Sequence, residues 1–67
     1  MELKVVLNMA EINKAMAKNK MSVAMLAEAY GVSRSRMHII LNSKTVTPMC
    51  AGRLSDALKC NVTEIIM

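Results

Sequence analysis

Aromatic side chains are almost missing from this sequence: Tyr30 stands alone, with no Phe and no Trp. An interior built on stacked rings is thereby excluded, and eight methionines with Leu, Ile, Val and Ala must fill the space between packed elements. Cysteine is scarce as well. Cys50 and Cys60 could close one bridge at most, which rules out a disulfide framework. Carried on a single helix they would stand roughly 15 Å apart, beyond disulfide reach. Both thiols are expected to be small buried apolar groups in a reducing cytoplasm. His38 is the sole histidine and no CxxC occurs, so neither a metal-ligand set nor a cofactor is expected. No apolar run approaches the roughly 20 residues of a membrane span. The leading MELKVVLNMAEINK is interrupted by Lys4, Asn8 and Glu11, unlike a secretory signal. No acid–base or nucleophile–base pair can be named, so no catalytic residue, enzymatic activity or small-molecule substrate is expected.

What is present bounds the chain further. Sixty-seven residues allow one domain, residues 1–67, with a thin core; a chain of this size buries only about 60% of its unfolded surface. An apolar fraction of 54% argues against disorder. Nine basic against five acidic residues leave a net charge of +4, and that excess is localised. Between Glu28 and Asp56 stand Arg34, Arg36, Lys44 and Arg53 with no acid among them. Lys4, Lys14, Lys18, Lys20 and Lys59 balance the acids elsewhere. Concentrated positive charge on a small domain attracts polyanions.

Periodicity and capping residues divide the chain. Residues 2–7, ELKVVL, suit a short edge strand or an extended lead-in. A first helix over 9–18 has Met9, Ile12, Ala15 and Met16 on one stripe. Ser22 caps a second helix with Leu26, Ala27 and Tyr30 inward, and Gly31 ends it. Ser33 caps a third helix, residues 34–41, that buries Met37, Ile40 and Leu41. Asn42 to Val46 reads as a loop. Thr47-Pro48 opens a fourth helix, whose inward residues are Cys50 or Ala51, Leu54, Ala57 and Leu58. Gly52 weakens that helix by about 1 kcal/mol relative to Ala unless close packing requires it. Thr63 is expected to cap a last turn holding Ile65 and Ile66. The fold class is all-α, five short helices with a possible N-terminal strand.

The informative stretch runs from Ser22 to Ser43. Two short helices joined by Gly31-Val32-Ser33 stand at a steep angle, the geometry of a helix-turn-helix over about 22–42. The segment MSVAMLAEAYGVSRSRMHIILNSK resembles the phage Cro/repressor helix-turn-helix family, also called XRE-like, through Leu26-Ala27, Gly31-Val32-Ser33 and Met37. The tail TPMCAGRLSDALKCNVTEII is similar as well, through Ala57-Leu58 and Ile65-Ile66, so the resemblance covers about residues 9–66. Three positions depart from that pattern. Val23 stands where many members have a phosphate-binding glutamine, Met16 and Leu41 replace a buried arginine–glutamate pair, and Ser43 replaces a glycine. An apolar pair can replace a buried ion pair without loss of stability.

The resemblance implies a sequence-specific, double-stranded-DNA-binding regulator, a repressor acting as a homodimer, with residues 34–41 as recognition helix. Rotating that helix about its buried stripe turns Ser35, Ile39 and Asn42 outward, flanked by Arg34 and His38 on one side and Arg36 on the other. Arginine can grip guanine or phosphate, serine can bond either kind of base, and outward Ile39 suits a thymine methyl group. Ser33 offers helix-terminal donors, and Lys44, Ser22 and Val23 lie where the family touches the DNA backbone. Arg53 remains open between a surface charge and a phosphate ligand. Asn61, Val62, Ile66 and Met67 are the expected dimer contacts, with strand 2–7 as a competing surface. The alternative is a protein-interaction module of the same fold, an antitoxin or regulator partner that does not read DNA.

Overall fold

The computed structural model describes residues 3–67. Its elements are β1 (Val5–Val6), α1 (Met9–Lys18), α2 (Val23–Tyr30), α3 (Arg34–Asn42), β2 (Thr45–Val46), α4 (Pro48–Leu58) and α5 (Val62–Ile65). The all-α, five-helix reading is the observed architecture, with a small antiparallel sheet added.

Four helices begin where a short polar side chain meets the first free backbone donors. The side chains of Asn8, Ser22, Ser33 and Thr47 accept from the N–H groups of Glu11, Met25, Arg36 and Cys50, at 3.3, 3.2, 3.1 and 3.2 Å. Each such cap stabilises its helix by about 1 kcal/mol. Gly31 ends α2 with φ at 98°, and both its N–H and that of Val32 donate to the Ala27 carbonyl. That left-handed residue allows the chain to reverse into α3 within three residues.

The inward stripes meet in one core. Ile12, Leu26, Met37, Leu54, Leu58 and Ile65 are its largest fully buried side chains. Of the α1 stripe only Ile12 is fully covered, while Met9, Ala15 and Met16 pack half-buried against it. On α4 it is Ala51 that faces the core, and Cys50 is half-buried. Ser55 is buried too, its hydroxyl donating to the Gly52 carbonyl at 2.7 Å. Asn19 ties two helix ends together, its amide donating to the carbonyls of Ala15 at 3.0 Å and Leu58 at 2.7 Å.

Several sequence expectations need correction. The Asn42–Val46 segment is not all loop: Thr45 and Val46 pair with Val6 and Val5 as an antiparallel ladder. The strand expected within 2–7 is limited to Val5–Val6, an outer strand of the two-stranded sheet. The C-terminal tail meets the end of that strand, where Leu7 bridges Ile66 and the Met67 N–H donates to the Val6 carbonyl at 2.8 Å. Glu2, part of that expected strand, lies outside the described residues. The last helix is capped at Asn61 rather than Thr63, and Ile66 has left it for extended backbone. The Glu64 carboxylate accepts from the Asn61 N–H at 3.0 Å, which fixes the start two residues earlier. Both cysteines are free and half-buried rather than fully buried.

Candidate nucleic-acid interface

Packing of α2 against α3 settles which face of α3 is free. Met37, Ile40 and Leu41 are buried. Arg34, Ser35, Arg36, His38, Ile39 and Asn42 are all exposed, as are Ser33 before the helix and Lys44 after it. The outward stripe read from helical rotation is thus brought together on one surface. Ser22 is exposed as the cap of α2, while Val23 is half-buried against the core and offers little side chain to a partner.

Electrostatics set this helix apart. A helix N-terminus carries roughly half a positive charge, so acids in the first turn stabilise it and cations oppose it. The first turn of α1 holds Glu11 and that of α5 holds Glu64. The first turns of α2, α3 and α4 hold no acid, and of these α3 alone opens on two arginines, Arg34 and Arg36. Neither guanidinium has a hydrogen-bond or ion-pair partner among the described residues, where the one ion pair is Lys14–Glu11. The Ser33 hydroxyl accepts from the Arg36 N–H and keeps its own proton to donate. Local stability would favour the opposite charges here. The arrangement concentrates cationic donors on an exposed helix start, which suits an anionic ligand.

The loop after α3 is held from outside the helix-turn-helix. Lys44 adopts a left-handed φ of 66°, and its carbonyl accepts from the Leu7 N–H at 2.7 Å. The Ser43 hydroxyl closes the end of α3 by donating to the Ile39 carbonyl at 2.7 Å. The N-terminal strand therefore fixes the backbone that carries the Lys44 ammonium. Sequence reasoning missed this link, for which the chain gives no local signal.

Arg53 makes contacts within the fold. Its Nη2 donates to the Tyr30 carbonyl at 3.1 Å, and its guanidinium lies 4.4 Å from the centre of the Tyr30 ring. This clamps the end of α2 to α4 and steadies the turn into α3; a cation over a ring contributes about 0.5–1 kcal/mol at such an exposed site. The Tyr30 hydroxyl donates to Cys50 Sγ at 3.1 Å. Burial raises the phenol above its ordinary pKa, the Cys50 bond adds to this, and the Arg53 and Arg36 charges oppose it. Cys60 also titrates above its ordinary range, chiefly through burial and then through Glu64.

The model of a known family, the Cro/C1-type HTH DNA-binding domain, matches residues 11–67. The chain belongs to this family. No curated protein and no solved structure matches it. As a Cro/C1-type domain it is a DNA-binding protein built on the helix-turn-helix formed by α2 and α3. No helix among the described residues is long and apolar enough to cross a membrane. No group of three or more His, Cys, Asp or Glu is placed to hold a metal ion among those residues. The expected dimer residues lie at the far end of the chain. Asn61 is exposed, Val62 and Ile66 are half-buried, and Met67 is 78% exposed beside Val6.

Proposed function

We propose that this chain is a cytoplasmic transcriptional regulator, a repressor that binds double-stranded DNA sequence-specifically as a homodimer, with α3 as the recognition helix. The observation that carries this reading is the acid-free, doubly cationic first turn of α3, exposed beside Ser35 and Asn42. Arg34 and Arg36 sit where the N-terminal part of a recognition helix meets base edges and phosphates. Ser22, Ser33 and Lys44 flank them as backbone contacts, with His38 at the margin. Val23 contributes its backbone rather than its side chain.

A domain this small covers only a short half-site, and pairing two copies raises both affinity and specificity. Asn61, Val62, Ile66 and Met67 form the surface we assign to that pairing. Ile66 bridges Leu7, so strand 2–7 adjoins this surface and remains the competing one.

Selection of preferred duplexes from a random pool tests the reading. A palindromic consensus, bound with an affinity that falls steeply as salt rises, is the expected result. Failure to enrich any sequence, with a flat salt response, would instead identify a protein-interaction module of the same fold.

A further inference from the structure

Ile39 is the one exposed apolar residue on α3, at 57% exposure, surrounded by exposed Ser35, Arg36, His38 and Asn42. It lies in the middle of the helix, one turn beyond Ser35 and one turn before Asn42, on the outward stripe. Being β-branched, it holds essentially one rotamer in a helix and loses little freedom on contact. Its carbonyl already accepts from the Ser43 hydroxyl. The side chain is therefore all that this position presents to a partner.

A purely apolar protein patch does not fit a face carrying Arg34, Arg36 and Lys44, none of which is ion-paired among the described residues, because those charges would lose water and gain no counter-charge. The major groove answers both requirements. Phosphates flank it for the cations, and the apolar group on its base edges is the pyrimidine 5-methyl group. Resting on the DNA-binding reading above, we infer that Ile39 is a specificity-determining residue that reads a pyrimidine 5-methyl group in each half-site. Thymine carries that group, and 5-methylcytosine presents it at the equivalent place on the pyrimidine ring. A target cytosine at this position would accordingly be bound more tightly when methylated.

The test uses the full chain and the duplex it selects. Each thymine is replaced singly by deoxyuridine, which removes the methyl group and nothing else. One thymine per half-site should weaken binding about fourfold, the equivalent of one buried methyl group. Ile39→Ala should bind the thymine and deoxyuridine duplexes equally while keeping the circular-dichroism spectrum of the parent. In a second arm that thymine is replaced by cytosine or by 5-methylcytosine, and the methylated form should regain about fourfold over the plain one. Uniform indifference to every methyl group, with the selected duplex still outcompeting a scrambled one, would overturn the inference and leave the DNA-binding reading standing. Methyl dependence that survives Ile39→Ala would overturn it too. Equal affinity for selected and scrambled duplexes would remove both.

Discussion

Helices α1 and α3 begin in the same way and then part company. Each opens on a polar cap whose side chain accepts from the N–H three residues on, Asn8 from Glu11 and Ser33 from Arg36. In α1 that third position is an acid, and the last turn carries Lys18, so its charges oppose its dipole at both ends. In α3 the same position is Arg36, one turn after a cap that would suit a glutamate. The α1 pattern serves the helix itself. The α3 pattern costs a few tenths of a kcal/mol of local stability, and what it gains is a cationic edge turned to solvent. Departures from local electrostatic preference of this kind mark where a surface serves something outside the molecule.

The contrast can be attacked from several sides. The largest effect is expected on the hidden face of α3. Met37→Ala, at a fully buried position, should lower the unfolding free energy by about 2–5 kcal/mol in denaturant titration. Next comes Arg36→Glu, which should act on binding and stability with opposite signs. Affinity for the selected duplex should drop by about 3 kcal/mol, since a guanidinium contact is lost and a like charge faces phosphate. The unfolding free energy should rise by about 0.5–1 kcal/mol as a capping box forms with Ser33. A loss in both quantities would show that Arg36 supports the fold and would break the comparison.

The mirror substitution in α1 is smaller. Glu11→Arg should cost about 0.5–1 kcal/mol of stability, through the dipole and the exposed pair with Lys14 at 3.2 Å. It should leave duplex affinity within twofold or raise it slightly through added charge, as a binding isotherm would show. The last substitution calibrates helix propensity away from either terminus. A Cβ built at Gly52 meets nothing within 4 Å, so no close packing requires the glycine. Gly52→Ala should therefore raise the unfolding free energy by somewhat less than about 1 kcal/mol, read as a higher thermal midpoint.

Helices α1 to α4 were legible because each announces itself twice, once by a cap residue and once by an inward stripe. Ser22 with Leu26, Ala27 and Tyr30 is such a case, and Ser33 with Met37, Ile40 and Leu41 is another. The outward stripe of α3 followed from the same geometry. Strand β2 was not legible, because two residues carry no period and the partner strand lies far upstream in the chain. The start of α5 is ambiguous in the sequence, where Asn61 followed three residues later by Glu64 has a capping-box spacing and Thr63 is a cap residue as well. Within the candidate interface, the clamp of Arg53 on Tyr30 and the hold of Leu7 on Lys44 join residues distant in sequence. Composition and spacing record nothing of such contacts.

Adding the selected duplex to isotope-labelled protein and following the backbone amide resonances tests the central claim most directly. The account predicts that the largest shifts fall on Ser33 to Asn42 and on Lys44, with smaller ones at Ser22 and Val23. Shifts centred on α1 and α5, with the amides of α3 unmoved, would contradict it.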